Sequence, residues 1–330
     1  MDRQTAALLA ELTQRGGGAI ADMPRLDIAA ARQGSRAMWL GYAGDAAAAC
    51  DVTPLRINSG GRLIPAGLYR PLGRRDEPLP IVVFLHGGGW SMGDLECYDG
   101  LVRSLCALSG AIFVSIDYRL APEHKFPQGL EDSLAAMHWI ARYASAFGGD
   151  AARLAVMGDS AGGNLAAVVA QKLSRADAGK LAAQFLLYPI LDISRPHASY
   201  PSRLEYGDGA YLLSRNGIDI TVEWYLDAAT PRDHPEVSPL LTADLGALPP
   251  SVILTAGFDP LRDEAALYAA RLRAAGVPVH EMCYEETIHA FLSFGVLDIA
   301  QRARAALAQQ VRRHLSLALR RIKIGGHPCP

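Results

Sequence analysis

No run of this sequence is apolar over anything near the roughly 20 residues that a membrane-spanning helix requires, so no membrane span is expected. Its opening, Met1-Asp2-Arg3 followed by Thr5-Ala6-Ala7-Leu8-Leu9-Ala10-Glu11-Leu12, is too short and too interrupted by charge to be the apolar region of a secretory signal. Cysteine is scarce: Cys50, Cys97, Cys106, Cys283 and Cys329 make an odd five, with no C-x-x-C pair. That pattern argues against a disulfide framework or a zinc site. It favours thiols buried as small hydrophobes, with Cys97 and Cys106 on one helical segment and Cys283 in a strand. Excess charge is also missing. A formal net charge of −2 leaves no global field to attract nucleic acid or anionic lipid. These absences together lead us to expect a cytoplasmic protein in a reducing compartment, with no metal and no nucleic-acid partner.

Apolar residues are plentiful. Hydrophobic residues make up 50% and charged residues 20% of the 330-residue chain, enough for one large core and unlike a disordered chain. Residues 2–15 read as an amphipathic helix ended by Gly16-Gly17-Gly18, and 25–45 as a second helical stretch containing Trp39. From about residue 51 the pattern changes. Segments 52–57 and 62–69 flank Asn58-Ser59-Gly60-Gly61, a hairpin signal. Short apolar runs at 81–85, 111–116, 153–157, 184–188, 251–256 and 278–284 then alternate with helical patterns at about 95–108, 130–146, 161–173 and 264–275. A last helix is expected over 297–321. Such alternation describes a mostly parallel sheet of about eight strands covered on both faces. The stretch 192–248 breaks the rhythm with Pro196, Pro201, Pro231, Pro235 and Pro239 and carries a helix near 217–226. The expected organisation is cap helices in 1–50, a catalytic α/β domain from 51–191 and 249–330, and a cap insertion over 192–248.

The chemistry-bearing motifs sit at strand ends. Gly158-Asp159-Ser160-Ala161-Gly162-Gly163-Asn164 follows one apolar run and opens an alanine-rich helical pattern. This is the strand–turn–helix setting of a G-x-S-x-G elbow, which exposes a serine hydroxyl on a strained turn. His86-Gly87-Gly88-Gly89-Trp90 follows the 81–85 run, and its consecutive glycines let backbone N–H groups approach a ligand oxygen. No Walker lysine or G-x-G-x-x-G helix accompanies it, so phosphate cradling is not expected. A nucleophilic serine needs a base, and His289 in Thr287-Ile288-His289-Ala290-Phe291 comes after the last strand candidate. The acid candidate is Asp259, after the 251–256 run. Asp263 competes, although an acid in a helix's first turn has a dipole reason to be there. Serine, acid and histidine occur in the chain order expected of α/β-hydrolases.

Taken together, His86-Gly87-Gly88-Gly89-Trp90, Tyr118-Arg119-Leu120-Ala121-Pro122-Glu123, Gly158-Asp159-Ser160-Ala161-Gly162-Gly163 and Asp259-Pro260-Leu261-Arg262-Asp263-Glu264 resemble the hormone-sensitive-lipase-like esterases over residues 86 to 289. The resemblance implies an α/β-hydrolase fold with a helical cap and cofactor-free hydrolysis of short- to medium-chain acyl esters. It further implies an oxyanion hole from the N–H groups of Gly88, Gly89 and Ala161. Related esterases often pair as homodimers. Tryptophan at 90 and alanine at 290 depart from the residues frequent there, phenylalanine and glycine, which bears on pocket shape. An amidase or deacetylase on the same residues, or a receptor of the same fold without turnover, are the alternatives.

Trp90, Trp39, Tyr211 and Trp224 are candidates for the substrate wall, Tyr206 being a further aromatic of the insertion; packing within the cap is the competing reading for the cap aromatics. The 118–127 segment is expected to brace the site. Arg302, Arg304, Arg312, Arg313, Arg320, Arg321 and Lys323 are expected on a solvated face of the last helix, opposite Ala306, Leu307, Val311, Leu315 and Leu319. The tail 325–330 is expected to be mobile, and its His327 and Cys329 are too few for a metal site.

Overall fold

The computed structural model describes residues 1–14, 27–45, 50–73, 77–175 and 181–324, with side chains to residue 316. Gly16–Gly18 and the tail with His327 and Cys329 lie outside the described residues, as do the side chains of Leu319, Arg320, Arg321 and Lys323. Two helices open the chain, α1 (Arg3–Gln14) and α2 (Ile28–Tyr42). The side chain of Asp27 caps α2 by accepting from Ala29 N. A hairpin follows, β1 (Cys50–Ser59) and β2 (Arg62–Pro71). Its two turn residues, Gly60 and Gly61, have φ of 58° and 102°, a combination that glycine adopts without strain.

The alternating part runs β3 (Leu79–Leu85), α3 (Asp99–Ser109), β4 (Ile112–Ile116), α4 (Gln128–Tyr143), β5 (Gly149–Asp159), α5 (Ala161–Arg175) and β6 (Ala183–Leu187). After an irregular stretch bearing α6 (Pro201–Tyr206) and α7 (Arg215–Tyr225), it resumes as β7 (Ser251–Phe258), α8 (Arg262–Ala274), β8 (Val279–Ile288) and α9 (Asp298–Ile324). The eight strands form one sheet in the order β1-β2-β4-β3-β5-β6-β7-β8. Pairing is antiparallel for β1–β2 and β2–β4 and parallel from β4 through to β8.

Strand periodicity sorts neighbouring residues into two cores. Val83, Leu85, Val156, Leu186 and Ile253 face the layer built by α4, α5 and α8. Val82, Phe84, Met157, Phe185 and Leu254 face the layer of α3 and α9. The central strands are buried on both faces, which is why they read as unbroken apolar runs. Trp39 of α2 joins the second core and Ile218 of α7 joins the first, so the outer helices are tied to opposite sides of the sheet. Among the described residues, no helix is long and apolar enough to cross a membrane.

Three expectations need correction. Cys97 sits in the turn before α3, not on the helix with Cys106. Cys283 is exposed, because β8 is an edge strand whose outer face meets solvent. Arg304 is 1% exposed. It shares the inner face of α9 with Ala300, Leu307 and Val311, and its Nε and Nη2 both donate to the carbonyl of Leu292, at 2.9 and 2.7 Å. Burial lowers its pKa to about 10.

Candidate active site

The ends of four parallel strands converge on one spot. At the end of β5, Ser160 takes φ of 52°, a left-handed conformation costly for a side-chain-bearing residue and typical of strained functional turns. The turn is locked by close backbone approach. A Cβ on Gly158 would collide with the Gly162 carbonyl, and one on Gly162 with the carbonyls of Leu85 and His86. Ser160 N donates to Leu187 O at 2.9 Å, and its carbonyl accepts from Asn164 N at 3.1 Å. The buried Asn164 donates through Nδ2 to Ile190 O and Val237 O, which fastens α5 to the chain beyond β6.

His289 stands just beyond β8, and its Nε2 lies 2.9 Å from Ser160 Oγ. Its Nδ1 lies 2.8 Å from Asp259 Oδ2. The other Asp259 oxygen accepts from Leu261 N at 2.8 Å, so this carboxylate, 0% exposed, has both oxygens occupied. An acceptor-only carboxylate at Nδ1 requires that nitrogen to carry the proton, leaving Nε2 to accept from the serine hydroxyl. Asp263 faces elsewhere and accepts from Ser202 N at 2.7 Å. Ser202 also donates through Oγ to Pro260 O at 2.8 Å, so α6 grips the turn that carries Asp259. Ala290 has φ of 61°, the conformation glycine takes freely, which accounts physically for glycine being common at this place in the resembling family.

The glycine loop after β3 passes beside the serine. Gly88, Gly89 and Trp90 have φ of 103°, 59° and 56°, and a Cβ on Gly89 would lie 2.5 Å from Thr221 Cγ2 of α7. The loop is held from below. Gly87 N donates to Asp159 Oδ1 at 2.7 Å, and Tyr118 donates to His86 O at 2.7 Å. Thus the 118–127 segment reaches the site through Tyr118. Burial drives the Asp159 carboxyl up to about 7, against the pull of Gly87 N–H. Burial also lowers His86 to about 4, which keeps the ring neutral where it stacks on Tyr118 at 4.5 Å.

An open cavity brings together Ser160, His289, Gly88, Gly89, Ala161, Trp90 and Trp39. Its walls are mostly apolar, and α7 contributes Gly217, Ile218 and Thr221. Tyr211 and Trp224 are not part of this wall. Tyr211 stacks on Phe258 at 5.3 Å, and Trp224, a turn beyond Thr221, packs against both cores. Trp90 lies flat on Tyr225 at 4.3 Å and shows the cavity only part of its surface. Met38, Leu212 and Leu213, which sequence reasoning did not single out, also line it. Met38 carried a signal, as the neighbour of Trp39 on a helix expected over the sheet. Among the described residues, no group of three or more His, Cys, Asp or Glu side chains could hold a metal ion.

A serine on a strand–helix elbow of a parallel sheet, bonded to a histidine that is bonded to a buried aspartate, defines the class of α/β serine hydrolases. Comparison with known proteins agrees. Residues 82–293 match a family described by the alpha/beta hydrolase fold. The chain is 44% identical over 238 residues to carboxylesterase NlhH of Mycobacterium tuberculosis, covering 71% of this chain and 73% of that one. It is 36% identical over 266 residues to an ethyl acetate hydrolase of Pseudomonas putida, covering 77% and 80%. An ester hydrolase from the metagenome of Lake Arreo superposes with a TM-score of 0.89 at 37% identity, over 96% of this chain and 99% of that one. The chain belongs to the hormone-sensitive-lipase-like esterases of the α/β-hydrolase family. It is a carboxylic ester hydrolase.

Proposed function

We propose that this carboxylesterase cleaves short- to medium-chain acyl esters, with Ser160 as nucleophile, His289 as general base and acid, and Asp259 as the group that orients the imidazole. His289 takes the hydroxyl proton as Ser160 Oγ attacks the ester carbonyl. The oxygen of the tetrahedral intermediate receives hydrogen bonds from the N–H groups of Gly88, Gly89 and Ala161. His289 returns the proton to the departing alcohol, leaving an acyl-enzyme. Water then repeats the sequence, and the carboxylic acid leaves. The observation that carries this reading is the unbroken chain Ser160 Oγ–His289 Nε2–Nδ1–Asp259 Oδ2, at 2.9 and 2.8 Å.

The cap in this reading is made of residues 1–50 and 192–248, and Trp39 and Trp90 contribute to the acyl or alcohol pocket. The substrate is a small neutral molecule, consistent with an apolar wall around a few polar groups. The reaction needs no cofactor, and the cytoplasm is its expected setting. The test is hydrolysis of p-nitrophenyl esters from acetate to dodecanoate alongside matched anilides. An optimum among the shorter esters with little anilide cleavage is expected. Anilides cleaved as fast as esters would move the assignment to an amidase.

A further inference from the structure

A second cavity opens on the other side of α7. Ile218 stands in the wall of both cavities, but the two are chemically unlike. The second is lined by Arg195, Arg203, Arg232, Ser194, His197 and Asp219; Asp219 is the one carboxylate in the wall, while Asp192 and Glu264 contact Arg195 and Arg203 from behind it. Arg203 is 1% exposed, and its Nε–H, fully buried, has no hydrogen-bond partner among the described residues. A buried donor left unpaired is costly unless something else fills it.

The remaining bonds of this guanidinium hold it in place. Its Nη2 donates to Asp192 O at 2.5 Å and to Glu264 Oε2 at 2.8 Å. Arg195 lies 3.4 Å from Asp192, whose carboxylate also accepts from Ser194 and Tyr200. His197 sits between Arg203 and Asp219, 3.5 Å from Arg203 Nη1 through Nδ1 and 3.1 Å from Asp219 Oδ2 through Nε2. That arrangement suits the neutral ring with its proton on Nε2. Burial raises the Glu264 carboxyl while the Arg203 charge 2.8 Å away pulls it down, so Glu264 holds one edge of the guanidinium from behind the cavity. Arg232 is exposed, and Arg195 is 44% exposed, so both can turn toward an incoming ligand. Planar guanidinium forks match the oxygen geometry of phosphate and carboxylate groups.

From this we infer that the cavity bounded by Arg195, Arg203 and Arg232 is a binding site for a small dianion, a phosphomonoester or dicarboxylate, separate from the ester site. Such a ligand would join α6, α7 and the 193–197 turn. The inference is independent of the catalytic roles proposed above, and it can be tested without turnover. Inorganic phosphate and succinate would be titrated calorimetrically into the full-length Ser160→Ala protein near neutral pH, with chloride as the ionic-strength control. One-to-one saturable binding with a Kd below about 1 mM is expected. Tighter phosphate binding would identify the phosphomonoester class, and tighter succinate binding the dicarboxylate class.

In the Arg195→Ala/Arg232→Ala double variant, affinity should fall by about 10-fold or more, while the same double change in an otherwise wild-type chain leaves ester turnover unchanged. Asp219→Asn removes the opposing charge and should tighten binding by about 2- to 5-fold. This variant shifts affinity in the opposite direction, so general damage to the fold cannot mimic it. The proposal is overturned by the absence of saturable binding to either probe up to about 10 mM, or by affinities that neither variant changes.

Discussion

The cavity proposed as the active site has two walls of different construction. The inner wall is backbone: the glycine loop 87–89, the elbow 158–162 and the turns bearing Asp259 and His289. Each is interlocked with its neighbours so closely that a single Cβ at Gly88, Gly158 or Gly162 would strike main-chain atoms. The outer wall is side chain: Met38 and Trp39 from α2, and Ile218 and Thr221 from α7. The difference suggests a division of labour. In the proposed mechanism the bond-making groups must be held to fractions of an ångström, which interlocked backbone achieves. An apolar side-chain wall can change shape without disturbing them.

Five substitutions, one of them a second-site rescue, test that division, beginning with the largest effect. Gly89→Ala places a methyl against Thr221 at a left-handed backbone position and should lower kcat by about 10²–10³. Adding Thr221→Ala should restore part of the loss, since it removes the clash but not the strain. A steady-state comparison of the two variants reads this directly, and no restoration would mean that the walls are not in contact there.

Asp159→Asn comes next, read in stability. Between about pH 4 and 7 the native Asp159, held near 7, keeps a proton that the unfolded chain has released. The native state therefore binds more protons, and stability falls as pH rises through that window and levels off above it. The asparagine variant should lose this slope, changing the pH 4 to pH 8 difference by on the order of 2–4 kcal/mol in urea unfolding. Parallel profiles for the two proteins would show that Asp159 does not titrate there.

Trp39→Ala probes the outer wall and should raise KM for short esters by about 10-fold. It should also shift the chain-length optimum upward with kcat nearly unchanged, the signature of lost uniform binding. Trp224→Ala, outside the cavity, is the smallest case for activity. Its chain-length profile should match the wild type, while stability drops by about 1–3 kcal/mol.

The same contrast explains what the sequence revealed. The inner wall was legible because interlocked backbone demands glycine at fixed spacing: Gly87-Gly88-Gly89 and Gly158-x-Ser160-x-Gly162 announce themselves beside apolar strands. The parallel sheet was legible for a similar reason, since strands buried on both faces leave unbroken runs such as 81–85. The outer wall was only partly legible. An apolar helix face reads alike whether it covers a core or a cavity, so Trp39 and Trp224 looked equivalent and only Trp39 reaches the site. Arg304 was misplaced because charge suggested solvent, although its spacing from Ala300, Leu307 and Val311 put it on the buried face. Its bonds to the Leu292 carbonyl brace the turn after His289. The grip of α6 on the Asp259 turn joins residues far apart in the chain, and no local pattern encodes it.

The most direct test of the catalytic assignment is acyl-enzyme trapping. Wild-type protein is mixed rapidly with p-nitrophenyl acetate, quenched in acid, and the labelled peptide located by mass spectrometry. The expected result is a stoichiometric burst of nitrophenol with one acetyl group on Ser160. In Ser160→Ala both should vanish, and kcat should fall by about 10⁵–10⁶. Acetyl found on another side chain, or turnover surviving in that variant, would contradict the assignment of Ser160 as the nucleophile.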